Sequence, residues 1–421
     1  MSFQRAVVTG LGAISSLAGD KDRHFERLLD GASGIAPAEN GLASLCPLAA
    51  RPTGPDPRSA LASRMLRKLL PPSAAYAVLA AGAALADAGL AGDAGVLAGC
   101  GLYVGSVYMD LPPGMFEPAL RESLGADGRI DLARFATRGL HLLDPLFLVK
   151  TLPNAGLGGI TIEHQVAGPN LNVTNGAVAG LQAVACAAAA IERGDVQVAL
   201  AGGYDSQLGA ESLAAHLLAG RLSSRSCPEA ACRPFDLERD GYVPGEGACF
   251  LLLESSEHAR RRGAPIHAEI LGTFQTTVSP GLPQAARAAG LAAVAEEALR
   301  EAETRPEEID ALFGDGLATE EEDLMETEAV QLSGSSSALF TAATAALGFT
   351  GAASGPFSLL HAVEGMRHGV VPPMIGCLRP DPRCDLRFAH RAEPVPLRRA
   401  LVWNSDRGIK NVAVLLGTPE P

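Results

Sequence analysis

Short apolar runs alternate with longer amphipathic segments along most of the chain. The longer segments space their apolar residues as helices do. Several of the short runs are continuously apolar, which predicts strands buried on both faces of a sheet. These strand-like runs are RAVVTG, GLYVGS, VQVALAGG, ACFLLLE, IDALFG, ALVWN and NVAVLLG. The alternation predicts an α/β fold with helices on both sides of its sheets.

The order of the predicted elements repeats once. A first series ends in GACFLLLES, and a second series closes with NVAVLLGT. We therefore predict two similar halves, residues 1–255 and 256–421, and we expect a separate sheet in each. An insertion at about residues 107–152, rich in Met, Phe, Leu and Pro, interrupts the first half. Its apolar content suits core packing, a partner surface or an apolar channel.

Composition narrows the functional classes. The 421 residues are 47% hydrophobic and carry a formal net charge of -13, which argues against nucleic-acid and anionic-membrane binding. We expect neither a secretion signal nor a membrane span, because charged residues or glycines interrupt every apolar segment before ~20 residues. The eight cysteines form no CxxC pair and have no histidine at ligand spacing. We therefore expect reduced thiols, no metal and a cytoplasmic location.

The segment NLNVTNGAVAGLQAV predicts a strand, a turn and the start of a long helix. A nucleophile on such a turn would meet helix N-terminal amides, which lower the pKa of a thiol and stabilise an oxyanion. This arrangement suits acyl transfer. However, Gly176 at the centre of the turn has no side chain, and Thr174 and Asn175 are typical turn residues. Cys186 lies in the helix interior, where a core role outweighs a catalytic one.

The run RPFDLERDGYVPGEGACFLLLE, residues 233–254, carries a family resemblance. It is similar to a segment of the β-ketoacyl synthases, the condensing enzymes with the thiolase fold. The opening RAVVTGLGAISSLAGDKDRHFERLLDGASGI, the run AGPNLNVTNGAVAGLQAV and the late GAASGPFSLLHAVEGMRHGVVPP follow in the family's order. The resemblance spans essentially the whole chain and implies a five-layer αβαβα fold of two similar halves.

The family's catalytic residues are all replaced. The cysteine position falls on Gly176, and the two histidine positions fall on Asp315 and Gly348. The lysine position falls on Ala343, and Arg407 stands where the family's gating loop has phenylalanine. Neither the nucleophile nor the imidazoles needed for condensation are present at these positions. The pattern predicts a chain that is inactive on its own.

This combination resembles the chain-length factor, the ketosynthase-like β subunit of type II polyketide synthases. The resemblance implies a non-catalytic subunit that forms a heterodimer with an active ketosynthase. The interface would use the strand near Leu171 to Thr174 and the insertion. An acyl carrier protein bearing the growing chain would dock mostly on the partner, and no cofactor is implied. Because Gly176 replaces the glutamine common in aromatic-polyketide systems, the chain is more similar to polyene and aryl-polyene β subunits.

The insertion contains the candidates for setting product length. In the resembled family the corresponding segments cross the interface and line the floor of the acyl tunnel. The bulky residues of this insertion are Tyr108, Met109, Met115, Phe116 and Phe147. We expect them as a set to limit the growing chain, although each alone could be ordinary packing.

Two alternatives stay open. The chain could be an independent ketosynthase or acyltransferase whose nucleophile has moved to Cys186, Ser206 or Thr174. It could also be a scaffold that has no tunnel. Acylation of the purified chain would identify the first alternative, and a product length that does not respond to mutation of the insertion would identify the second.

Overall fold

The computed structural model describes residues 4–39, 46–106 and 114–419. The strands are β1 (Ala6–Ile14), β2 (Ile35–Pro37), β3 (Leu48–Ala50), β4 (Gly101–Gly105), β5 (Asn170–Val173), β6 (Val198–Ser206), β7 (Glu246–Ser255), β8 (Ala268–Thr277), β9 (Ala311–Phe313), β10 (Leu339–Thr341), β11 (Val370–Val371), β12 (Glu393–Pro394), β13 (Arg399–Asp406) and β14 (Lys410–Gly417). The helices are α1 (Lys21–Leu29), α2 (Arg64–Leu69), α3 (Pro72–Asp87), α4 (Ala94–Leu97), α5 (Glu117–Glu122), α6 (Leu132–Thr137), α7 (Phe147–Thr151), α8 (Ala155–His164), α9 (Ala179–Glu192), α10 (Ala210–Leu218), α11 (Ser256–Arg261), α12 (Gln284–Glu301), α13 (Glu320–Leu332), α14 (Thr344–Leu347) and α15 (Ser354–His368). None of the helices in these ranges is long and apolar enough to cross a membrane.

The main sheet has ten strands in the order β10-β9-β13-β14-β8-β1-β7-β6-β4-β5. Its two halves repeat one pairing scheme. From one edge, β5, β4 and β6 are parallel neighbours, and β7 and β1 follow antiparallel. From the other edge, β10, β9 and β13 are parallel, and β14 and β8 follow antiparallel. The repeat seen in the sequence is therefore present in the strand pairing, while the domain boundary at residues 255 and 256 stays a prediction.

The two halves of the sheet meet where β1 lies beside β8. Val7 pairs with Glu269 and Val8 with Ala268, both antiparallel. Our expectation of two separate sheets is therefore wrong, since hydrogen bonding continues from one half into the other. The junction is short because β1 pairs along its whole length with β7, and only its first residues reach β8.

Helices cover and separate the two halves. α3 packs on the outer face of the first half, against β1, β6 and β7, and α12 packs on the outer face of the second half, against β8 and β14. α9 and α15 lie between the halves, because each contacts strands of both. The Ala-rich buried side of α9 allows this close packing. The predicted five-layer αβαβα arrangement is confirmed.

The insertion forms a group of short helices. α5, α6 and a single 3₁₀ turn at Gly139–Leu142 pack together, and α7 follows them. Phe116 precedes α5 and Phe147 begins α7. Their rings meet edge to face with centroids 5.8 Å apart. This contact brings the two ends of the described part of the insertion together.

Candidate functional site

Three of the replaced catalytic positions surround one small cavity. Asp315 follows β9, Ala343 precedes α14 and Gly348 follows it. The cavity measures about 10 Å³, which is roughly the space of one water molecule. Its described lining offers hydroxyl groups and the Asp315 carboxyl, but neither a thiol nor an imidazole. The structure therefore brings these three predicted positions together, while their assignment as a vacated catalytic site stays a prediction.

Gly348 closes this cavity with its backbone. Its φ is +70°, a conformation that glycine adopts far more readily than other residues. A Cβ at this position would lie 2.7 Å from the Ala50 Cβ and 3.0 Å from the Val243 carbonyl oxygen. An imidazole has no room here unless β3 moves. The position therefore lacks both the chemistry and the space for a catalytic histidine.

The carboxyl of Asp315 is occupied by hydrogen bonds. Asn404 Nδ2 donates to Oδ1, and the backbone N of Ser405 donates to Oδ2 at 2.7 Å. Asp315 is half-buried, and it lines this cavity and a second one of about 10 Å³. Burial and, to a lesser extent, the nearby Glu326 carboxyl raise the pKa of Asp315 well above its usual range. An enclosed and bonded carboxyl fits a structural role better than that of a general base.

Glu326 of α13 supports the loop that carries Asp315. Its buried carboxyl accepts hydrogen bonds from the backbone N of Asp315 at 2.8 Å and of Gly316 at 2.9 Å. Trp403 Nε1 donates a third bond at 2.7 Å. Burial raises the pKa of Glu326. With these donors on both oxygens, the carboxyl shapes the loop after β9.

The turn between β13 and β14 carries Arg407, the residue that the family resemblance assigns to the gating loop. Arg407 has a φ of +60° and an exposed side chain, and its carbonyl accepts a hydrogen bond from Arg287 Nη1 at 2.9 Å. Ser405 Oγ accepts from the Gly408 backbone N at 2.8 Å and donates to Asn411 Oδ1 at 2.7 Å. The turn is therefore held by a hydrogen bond to Ser405 at the end of β13 and by a hydrogen bond from Arg287 of α12.

Gly176 lies on the predicted turn between β5 and α9, with a φ of +72°. A Cβ there would lie only 2.0 Å from Asp406 Oδ2 and 3.3 Å from Lys410 Nζ. A cysteine at this position therefore requires Asp406 to move. The next residue, Ala177, carries a Cβ without a left-handed backbone. Of the two, Ala177 is the position at which this backbone accommodates a side chain.

The turn lines a different cavity from the other replaced positions. Asn175 and Val178, which flank Gly176 and Ala177, line a different cavity of about 330 Å³ beside Lys410. Asn175 Nδ2 donates to Gln182 Oε1 at 2.8 Å, which ties the turn to the first part of α9. Gly176 is therefore not brought into the cavity of Asp315, Ala343 and Gly348.

The alternative nucleophiles are poorly activated. Burial raises the pKa of the Cys186 thiol, which disfavours the reactive thiolate. Ser206 Oγ donates to Glu246 Oε2 at 2.8 Å, and that carboxylate also pairs with Arg51 Nε at 3.0 Å. Among the described hydrogen bonds, none joins Cys186, Ser206 or Thr174 to an imidazole. Within the described residues, none of the three therefore has the imidazole partner that commonly activates an acyl-transfer nucleophile, and the carboxylate beside Ser206 is paired with Arg51.

Only part of the predicted length-setting set can be placed. Tyr108 and Met109 lie outside the described residues. Met115, Phe116 and Phe147 are each half-buried. The edge-to-face contact joins the two phenylalanines, so a change at one ring removes a neighbour of the other. Their role in product length stays a prediction.

The insertion exposes many apolar side chains. Leu132 is 76% exposed and Leu148 60% exposed. We call this group the insertion surface, and it comprises Leu132, Leu140, Leu142, Leu146, Leu148, Val149 and Leu152. Within the described residues, β5 is an end strand of the main sheet, hydrogen-bonded to β4 on one side only. Exposed apolar groups and an open strand edge are both features of protein interfaces.

Sequence reasoning missed the residues that hold Asp315. Asn404 and Ser405 are 89 and 90 positions further along the chain, and no motif marks them. A signal was present in the repeated element order, because β9 and β13 are parallel neighbours and their carboxyl ends meet at one edge of the sheet. The pairing of side chains at that edge depends on register, which the sequence did not supply.

The fold and the site define a ketosynthase-type protein. Residues 4–259 match the N-terminal domain of β-ketoacyl synthases, and residues 267–377 match the C-terminal domain. The chain belongs to the β-ketoacyl synthase family.

Individual relatives include enzymes and a chain-length-factor system. The chain is 29% identical over 395 residues to 3-oxoacyl-(acyl-carrier-protein) synthase 2 of Coxiella burnetii (strain RSA 493 / Nine Mile phase I), covering 92% of each protein. It superimposes on the ishigamide ketosynthase/chain length factor with a TM-score of 0.86 and 27% identity, covering 100% of both chains. A β-ketoacyl synthase from Burkholderia phymatum STM815 gives a TM-score of 0.87 and 25% identity, covering 99% of this chain and 100% of that one. These similarities establish the family. Whether this chain catalyses condensation depends on the residues at its own site.

Proposed function

We propose that this chain is a non-catalytic chain-length factor that pairs with an active ketosynthase of a type II polyketide synthase. The observation that carries the proposal is the cavity formed by Asp315, Ala343 and Gly348, which has water-molecule size and no imidazole or thiol. A site of about 10 Å³ cannot hold an acyl chain. The growing chain would then lie outside this cavity, in a space that the two subunits enclose together.

The position of the missing nucleophile is refined within this proposal. We infer that Ala177, rather than Gly176, corresponds to the family's cysteine, because a Cβ at 176 would meet Asp406 Oδ2 at 2.0 Å. Neither residue can form a thioester, so the proposed loss of activity is the same for both assignments.

The proposed partner surface combines β5 and the insertion surface. An active ketosynthase has the same fold and would present an equivalent edge strand, so the two chains would pair pseudo-symmetrically. Interfaces of this obligate kind commonly bury more than ~2,000 Å². The similarity to a ketosynthase/chain length factor structure at 27% identity supports this kind of pairing. The acyl carrier protein would bring the growing chain mainly to the partner, which holds the nucleophile.

Product length would depend on the bulky residues of the insertion. Phe116 and Phe147 brace each other, and with Met115, and with Tyr108 and Met109 outside the described part, they would form the end of the tunnel. Each additional methylene gains roughly 0.8 kcal/mol of burial only where space exists for it. A blocked tunnel therefore limits elongation.

The test is co-expression with the ketosynthase of the same biosynthetic system, followed by purification through a tag on this chain alone. We expect both chains in equal amounts, and carrier-bound polyketide only from the pair. The relocated-nucleophile alternative instead requires the purified single chain to become acylated by an acyl carrier thioester, with the label on Cys186, Ser206 or Thr174. A single chain that becomes acylated and condenses malonyl units would overturn the proposal.

A further inference from the structure

We propose that Asp315 is a positioning residue that fixes the β13–β14 turn across the vacated site. Its Oδ1 accepts a hydrogen bond from Asn404 Nδ2, and its Oδ2 accepts from the Ser405 backbone N at 2.7 Å. Ser405 Oγ then accepts from the Gly408 backbone N at 2.8 Å. One carboxyl is therefore connected to the whole turn. This inference concerns how the site is held closed and does not depend on the proposed pairing with a ketosynthase.

Strand register explains why an aspartate performs this task. β9 and β13 run parallel, and their last pair is Phe313 with Val402. Asp315 and Asn404 each follow two residues later, at the level where ladder pairing between the two strands has stopped. The short carboxyl spans the remaining gap, so its two hydrogen bonds continue the link between the strands. Without these two bonds, the turn would be connected to β9 only through the paired residues of β13.

The surroundings of Asn404 indicate that this link is specific. Asn404 is buried, and its side-chain oxygen has no hydrogen-bond partner within the described residues. Its amide therefore serves the carboxyl of Asp315 and no other group that we observe. The Asn404→Ala change removes one of the two bonds and leaves the Ser405 bond in place.

Amide hydrogen exchange tests the proposal directly on the full chain. In Asp315→Ala we expect the Ser405 and Gly408 amides to exchange about tenfold faster than in the wild type, because the bonds that hold the turn are lost. In Asp315→Asn we expect exchange within about threefold of the wild type. The new amide oxygen can accept from Ser405, and its NH₂ can donate to Asn404 once that amide rotates.

Asp310 provides a matched control at the other end of β13. Its Oδ2 accepts hydrogen bonds from the backbone N of Arg398 at 2.7 Å and of Arg399 at 2.9 Å. The Asp310→Ala change therefore removes a similar pair of bonds from the same strand. We expect faster exchange at the start of β13 and no change in the β13–β14 turn.

The only tryptophan of the chain gives an independent readout. Trp403 directly precedes Asn404, is fully buried and donates to Glu326. Its emission should shift to longer wavelength in Asp315→Ala, as water reaches the loosened turn, and should be unchanged in Asp315→Asn and in the Asp310 control. Equal exchange in Asp315→Ala and the wild type would overturn the proposal, as would an Asn variant that is as loose as the Ala variant. If Asp315→Ala does not fold, the proposal requires that Asn404→Ala increase the rate of amide exchange in the β13–β14 turn.

Discussion

Cysteine substitution on the turn before α9 tests whether a thiol there restores activity and whether the backbone accommodates a side chain. We expect Gly176→Cys to destabilise the chain and to restore no chemistry. The backbone at this glycine has a φ of +72°, and an L-residue in the left-handed region costs about 1–2 kcal/mol. The new Cβ would also fall 2.0 Å from Asp406 Oδ2. Because Asp406 must move, the expected loss in free energy of unfolding is about 2 kcal/mol or more.

Ala177→Cys is the matched control. This position already carries a Cβ, and its backbone is not left-handed. Because Ala177 is buried, the added sulfur should cost about 1 kcal/mol in packing strain. Both variants introduce the same thiol one residue apart. The difference between their denaturation midpoints therefore isolates the cost of the Gly176 conformation.

The assay combines denaturant unfolding with intact-mass measurement after exposure to an acyl carrier thioester. Neither variant should gain an acyl group above the wild-type background or support condensation, because Asp315 and Gly348 supply no imidazole. The reasoning fails if Gly176→Cys is as stable as Ala177→Cys. It also fails if either single change restores acylation and condensation.

The remaining predictions concern product length, pairing and pH. Phe116→Ala removes one ring of the aromatic pair and should yield carrier-bound product longer by at least one two-carbon unit, measured by mass spectrometry. An unchanged product distribution in this and the other four insertion variants would refute a length-setting insertion. Leu148 is 60% exposed on the insertion surface, and Leu148→Asp should abolish co-purification with the ketosynthase. Leu218 is 91% exposed outside that surface, and Leu218→Asp should leave co-purification intact. Equal effects of the two variants would contradict the proposed interface. The pKa of Asp315 in the folded chain is raised above its usual 3.8. As pH rises, the folded chain therefore keeps a proton that the unfolded chain releases. The contribution of this group to stability falls until the pH passes the folded pKa. Asp315→Asn should therefore raise the denaturation midpoint relative to wild type more near pH 8 than near pH 5, and an equal gain at both would argue against a retained proton.

The sequence predicted those parts of the fold that depend on local pattern. The continuous apolar run ACFLLLE became the buried strand β7, and the Ala-rich segment after Gly176 became α9 between the two halves. The junction of β1 and β8 was not predictable, because it rests on two residue pairs and has no separate sequence signal.

Sequence reasoning named positions that the structure brings together, but it did not predict their environment. The motif spacing placed Asp315 and Gly348, and the structure brings them to one cavity. What the sequence could not give was distance between remote segments: the contact of Asp406 with the space above Gly176, and the bond from Asn404 to Asp315. The bond depends on how the parallel strands β9 and β13 end side by side, and the contact depends on the approach of the β13–β14 turn to the turn before α9. Neither follows from local composition.

The single-sided pairing of β5 has a consequence for how the protein is produced. An open strand edge beside exposed leucines is a template for self-association, and in this chain the described edge carries neither a proline nor a lysine to prevent it. Copies made in excess of whatever covers that edge would collect in aggregates or be degraded. If the proposed ketosynthase covers that edge, the usable amount of this protein would follow the supply of that partner and not its own rate of synthesis.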